Sequence, residues 1–216
     1  MESLCKAPQL LKFNLTLMSK NTFVLSLVFI VTSCTSIKRF DSYEKSLILS
    51  QESNSFRILQ VTNKEDSLIL RTPSKKVNYK KDKELVNLLV DKMKTTMIQA
   101  PGIGLAAPQI GISRSIFIFR RIDKEGRPIE VAINPKIKNI PNETVCFEND
   151  GCLSIQGLRG NSNRYAWIEV EYLNEFGKKV RQKFEGYSRE SDFTAIVFQH
   201  EYDHLNGILY VDKLCN

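Results

Sequence analysis

Both histidines of this chain, His200 and His204, lie in the run Gln199-His200-Glu201-Tyr202-Asp203-His204. Four residues apart on a helix, they project from one face, because a turn takes about 3.6 residues. Two imidazoles so placed can hold one divalent ion, with Glu201 beside them to carry a proton. The alternative is a pair of hydrogen-bonded histidines on an ordinary amphipathic helix. A chain with only two His would then have placed both in this pattern by chance, which weakens that alternative.

A hydrolytic metal site usually takes three protein ligands and leaves one position for water. No His follows His204, which excludes the proteases whose third ligand is a downstream His, and Asp212 is the only acid in the tail. The third ligand is therefore expected upstream. Cys152, in Asp150-Gly151-Cys152-Leu153-Ser154, is the good candidate, since a thiolate suits Zn²⁺ or Fe²⁺. On spacing alone a buried, inert thiol fits equally well. A third segment, Gly102-Ile103-Gly104-Leu105-Ala106-Ala107-Pro108-Gln109, is rich in small residues that let backbone pass close to a neighbour. No Lys-Ser/Thr follows, so it is not a phosphate loop, and its Gln could donate an amide N–H into a site or merely close a turn.

Together, GIGLAAPQ, DGCLS and QHEYDH resemble, in order and spacing, the motifs of the peptide deformylase family, with the likeness running from about Phe56 to the C-terminus. The resemblance implies removal of the formyl group from the N-terminal Met of polypeptides, with release of formate. It places Cys152, His200 and His204 on the metal, with Fe²⁺ favoured and Zn²⁺ also satisfying the set. It makes Glu201 the proton carrier, and Gln109 with the Leu153 backbone N–H the donors to the oxyanion. Gly102, Ile103, Gly104, Asp150, Gly151, Phe193, Ile196 and Val197 are the expected substrate pocket, although the apolar ones serve equally well as core. One departure is Asp150, where the family has Glu; the carboxylate is one methylene shorter, and Arg159 or Arg164 is its expected partner. Leu153 after the Cys resembles the type I group. Two rival readings stay open at this point: a metallopeptidase or amidohydrolase with an altered substrate, and an inactive formyl-peptide-binding lipoprotein on the same fold.

These groups need elements to hold them. Leu85, Leu88, Leu89, Met93 and Met97 recur at helical spacing over Asp82 to Ile98, ahead of Pro101-Gly102. Ser115–Phe119, Ile129–Ile133 and Ala166–Tyr172 read as strands, and Asn174 to Gly177 reads as a hairpin turn into Lys178–Phe184. The ligand helix is expected to begin near Ser191-Asp192 and stop at Gly207, with Phe193, Ile196, Val197, His200 and His204 on its buried stripe. The expected class is α+β: antiparallel β-sheets packed around a central H-E-x-x-H helix, plus an N-terminal helix.

Residues 1–33 read as a signal or targeting leader, because Thr22 to Ser33 is an apolar run of signal-peptide length after Lys20. Val31-Thr32-Ser33-Cys34 resembles a lipoprotein cleavage box, so Cys34 is the expected lipid anchor; cytoplasmic and organellar placements are the alternatives, and Met18 offers a second start. Residues 34–55 read as a tether and 56–216 as the catalytic domain. Five Cys without paired spacing do not read as a disulfide framework. The net charge of +7 lacks interleaved aromatics and predicts a solvated face rather than a specific nucleic-acid site. Charge alone still allows weak attraction to the ribosome or to a membrane surface. The expected partner is an N-formyl-Met peptide or nascent polypeptide, and nothing in the sequence sets the oligomeric state.

Overall fold

The structure is a computed structural model describing residues 39–215; the leader and Cys34 lie outside the described residues. Among the described residues, four α-helices, α1 (Ser42–Leu49), α2 (Lys64–Leu70), α3 (Tyr79–Gln99) and α4 (Thr194–Leu205), combine with seven strands. The strands are β1 (Gly104–Ala106), β2 (Ile116–Arg120), β3 (Ile129–Asn139), β4 (Thr144–Cys152), β5 (Ile155–Tyr165), β6 (Trp167–Leu173) and β7 (Lys179–Glu185). Five form an antiparallel sheet in the order β1-β2-β3-β6-β7, and β4 pairs with β5 in a two-stranded ribbon. The class is α+β.

Strand β2 shows how the layers form. Its unbroken Ile-Phe-Ile-Phe sends Ile116 and Ile118 into a core shared with α3, and Phe117 and Phe119 into a core shared with α4. A strand buried on both faces needs no polar alternation, since successive side chains point opposite ways. Phe198 of α4 meets Phe117 and Phe119 edge-on, with ring centroids 4.8 and 5.4 Å apart. Helix α3 begins where the Asn78 side chain accepts the Lys81 N–H, and it buries Val86, Leu89, Val90, Met93 and Met97. Leu88, expected on that stripe, is instead exposed, because Val86 and Val90 share the inner face.

Two expectations are corrected. The described part of the 34–55 tether is not a free linker: α1 packs on α3, with Ile48 in the core and an Asp41–Glu44 capping box at its start. Its polar composition is misleading because Glu44 is buried against Arg114, with Nε–Oε1 at 2.8 Å. The second correction concerns the cysteines. Cys146 and Cys215, separated by 69 residues in sequence, form a disulfide with Cα atoms 5.9 Å apart. Spacing gave no hint of it, because the C-terminal tail returns to pair along β5, at Ser162–Leu214 and through Cys215 N–H to Asn161 O. Among the described residues, no helix is long and apolar enough to cross a membrane.

Candidate active site

Helix α4 starts one to two residues later than its sequence suggests. The N-cap is Phe193, which makes no side-chain capping bond, rather than Ser191 or Asp192; Asp192, one residue earlier, accepts the Thr194 N–H at 2.8 Å. Gly207, at φ +71°, ends it in the left-handed conformation that glycine adopts without strain. The helix is buried on nearly all sides, touching strands of both sheets, so His200, Glu201 and His204 are carried into the interior.

The ribbon brings the thiol to meet them. His204 Nε2 lies 3.3 Å from Cys152 Sγ. One donor atom each from Cys152, His200 and His204 falls within a 4.8 Å span, which is the spacing a single ion requires. Around Cys152 the backbone is held from three directions. Gln60 Nε2 donates to Leu153 O at 3.0 Å, Val61 N–H donates to Ser154 O at 3.0 Å, and Ser154 N–H points at the thiol sulfur. Gln109 stands beside it. Its Oε1 accepts the Ala106 N–H at 2.8 Å, which turns Nε2 toward Cys152 Sγ (3.5 Å) and Ser154 Oγ (3.3 Å).

Behind His200 sits a buried charge network. Asp150 Oδ1 is 3.1 Å from His200 Nδ1, leaving the other ring nitrogen for the ion, as metal-binding imidazoles require. Asp150 Oδ2 accepts from Ser162 Oγ (2.6 Å) and Arg164 Nη2 (2.9 Å), and Arg164 Nη1 also binds Asp203 (2.6 Å). Asp203 in turn accepts from Lys213. The partner of Asp150 is therefore Arg164 rather than Arg159. Burial disfavours the Asp150 carboxylate, but the hydrogen bond and charge of His200 and the charge of Arg164 overcome this and hold it well below the ordinary range. Burial also opposes charge on His200, yet Asp150 and Cys152 raise its pKa. At His204, burial and the charge of His200 act together and lower it.

Glu201 is buried, and desolvation pushes its carboxyl up to about 7. Its Oε2 has no protein hydrogen-bond partner. Gly104 makes room for it: a Cβ there would fall 2.6 Å from the Glu201 carboxyl carbon. Similarly, a Cβ on Gly102 would press on Leu153 Cδ1 at 2.9 Å. The two glycines of the run are thus explained by packing against the other two motifs.

A cavity of about 220 Å³ opens over the cluster. All the expected pocket residues line it: Gly102, Ile103, Gly104, Asp150, Gly151, Phe193, Ile196 and Val197. So do Gln109, Cys152, Leu153, His200 and Glu201, while His204 does not line it and is reached through its contact with Cys152. Sequence reasoning missed Phe147, Arg189 and the placement of Arg159 on this wall, together with Ser162 and Asp203 in the network. Asp203 sits inside the QHEYDH run and could have been read from it. The others carry no local signal.

Residues 56–216 match the family model described as polypeptide deformylase. The chain belongs to the peptide deformylase family. It is 42% identical over 158 residues to the peptide deformylase of Halothermothrix orenii, covering 73% of this chain and 94% of that protein. With the Aquifex aeolicus enzyme it shares 44% over 148 residues, or 68% and 82% of the two chains. The Thermotoga maritima peptide deformylase structure superposes with a TM-score of 0.64 at 35% identity, spanning 75% of this chain and 99% of that one. A class I type b enzyme from Acinetobacter baumannii, solved with Met-Ala-Ser bound, gives 0.63 at 31% identity over 74% and 98%. The deformylase family is metal-dependent, and the Cys152, His200 and His204 donors fit that requirement. The chain is an enzyme that removes the N-formyl group from polypeptides.

Proposed function

We propose that deformylation is carried out by Glu201, Gln109 and the Leu153 backbone around an ion held by Cys152, His200 and His204. The observation that carries this reading is the convergence of the three donors with a buried, partnerless Glu201 Oε2 at one cavity. These ligands would hold Fe²⁺, the favoured ion, or Zn²⁺, which when bound would supply Lewis acidity and lower the pKa of a water at the site. Glu201 Oε2 accepts the proton that the attacking water gives up and later delivers it to the amine nitrogen as the formyl C–N bond breaks. The raised Glu201 pKa supports a carboxyl that can both take and return a proton near neutrality. Gln109 Nε2, fixed by the Ala106 contact, donates to the developing oxyanion together with Leu153 N–H. Ile103, Phe193, Ile196 and Val197 receive the Met side chain. The Asp150–Arg164 network holds the His200 ring in its ligating orientation, Asp150 reaching both the ring and the guanidinium.

The test is formate release from formyl-Met-Ala-Ser by the chain loaded anaerobically with Fe²⁺. Replacing Glu201→Gln is expected to lower turnover by about 10²–10⁴-fold with metal content unchanged. Normal turnover, or loss of the metal in that variant, would remove Glu201 from its role.

For location, the leader and its Cys34 box support a lipid-anchored, exported enzyme acting on formyl-peptides at a membrane surface rather than at the ribosome. The Cys146–Cys215 disulfide supports the same reading, because such bonds persist in oxidising compartments. Labelling with a radioactive fatty acid is expected to mark the parent and not Cys34→Ala; label on neither would send the chain back to the cytoplasm or an organelle.

A further inference from the structure

Two guanidinium groups on the cavity wall have no part in the chemistry above. Arg189, just ahead of α4, and Arg159, on β5, both line the cavity. One backbone carbonyl holds them together: Asn149 O accepts from Arg189 Nη2 at 2.5 Å and from Arg159 Nη1 at 3.2 Å. Asn149 stands at φ +57° beside the bulge that separates the Phe147 and Asp150 pairings, so this carbonyl is set by an irregular backbone rather than by a ladder. Arg189 is further fixed by Nε to Glu148 O at 3.2 Å and lies over the rings of Phe147 (5.0 Å) and Phe193 (5.8 Å).

Neither Arg159 nor Arg189 has a carboxylate at ion-pair distance among the described residues. The nearest buried acid, Asp150, is already engaged by His200, Ser162 and Arg164. Two like charges fixed side by side repel, and burial with the charge of Arg159 depresses the Arg189 pKa accordingly. An anion placed between them would relieve this. Planar guanidinium forks match a carboxylate, and charge-assisted pairs are the stronger hydrogen bonds.

We propose that Arg189 and Arg159 form a carboxylate clamp at the cavity wall that selects formyl-peptides bearing a carboxylate within a few residues of the formyl-Met. The proposal rests on the deformylase reading, because Phe193 both receives the Met side chain there and underlies Arg189. Extended peptide advances about 3.3–3.6 Å per residue, so the second and third residues are the ones in reach. The carboxylate can be the C-terminus of a short peptide or the side chain of an Asp or Glu.

The experiment compares kcat/KM for formyl-Met-Ala-Ser, its C-terminal amide, and formyl-Met-Ala-Asp-amide. Calorimetric binding of the unformylated Met-Ala-Ser and its amide runs alongside. The parent is expected to favour the acid over the amide by about tenfold at low salt, less at high salt, as an exposed ion pair requires. Arg189→Gln and the Arg189→Gln/Arg159→Gln double variant should bring the ratio toward one, and Arg189→Lys should restore part of it. A general loss of fold lowers both rates together and leaves the ratio untouched. Recovery by the Asp-amide identifies side-chain carboxylates as ligands, whereas preference for the free acid alone identifies the C-terminus. A parent ratio within twofold, or a ratio that survives in the double variant, overturns the clamp. No turnover of any peptide, with the acid still bound more tightly than the amide, overturns the deformylase reading and leaves the clamp standing.

Discussion

Among the described residues two arginines, Arg114 and Arg164, are fully buried against carboxylates, and they serve different ends. Arg114 is enclosed between α1 and the main sheet, gripping Glu44 and the Arg39 carbonyl, with the Phe40 ring 4.7 Å from its guanidinium. Arg164 is enclosed between the ribbon and α4, gripping Asp150 and Asp203. The first pair ends at a helix cap, whereas the second ends at an imidazole of the metal cluster. Equal burial therefore teaches little about role. What the far side of the carboxylate touches decides whether a pair holds the fold or tunes the chemistry.

Substitutions should separate the two. Arg164→Met is expected to have the largest effect on turnover. It leaves Asp150 and Asp203 buried without their cation, costs about 3–5 kcal/mol of stability, and frees the His200 ring; formate assays and thermal melts would register both losses. Asp150→Asn keeps the volume but weakens the hold on His200, so metal affinity or rate should fall by about 10–100-fold with the melting temperature little changed. Metal titration reads this directly, and an unchanged affinity would detach the network from the site. Glu44→Ala should leave turnover within about twofold yet lower stability by about 3–5 kcal/mol, near 10 °C in Tm for a domain of this size. A large fall in rate with no fall in Tm would reverse the contrast.

The same contrast marks what the sequence makes legible. The three motifs could be read because they are short, contiguous and chemically unusual, and α4 brings two ligands to one face by its period alone. Helix α3, strand β2 and the β6–β7 hairpin follow from apolar spacing and the turn at Gly177. The ribbon was not legible. Strand β4 reads Thr-Val-Cys-Phe-Glu-Asn-Asp-Gly-Cys, and only Phe147 and Asp150 in it are buried, so no alternation survives around the bulge. Charged residues also mislead by type: Glu44, Arg114 and Arg164 look like surface and lie inside. Their burial depends on a partner 70 residues away for Glu44 and 14 for Asp150, and no local window sees such a partner. Arg189 stayed hidden for the same reason, since its neighbours come from the ribbon.

The disulfide has a consequence in chain entropy. Cys152, His200, Glu201 and His204 all lie inside the loop that Cys146 and Cys215 close, 69 residues apart. In the loop-closure model such a link removes roughly 4 kcal/mol of freedom from the unfolded chain. An ion held by Cys152 and the two histidines closes a smaller loop within the same stretch. The two links therefore constrain overlapping freedom: once the disulfide is formed, less entropy is left for the metal to remove. Reduction would tax the metal's grip in any partly opened state, even though neither sulfur of the bond touches the ion.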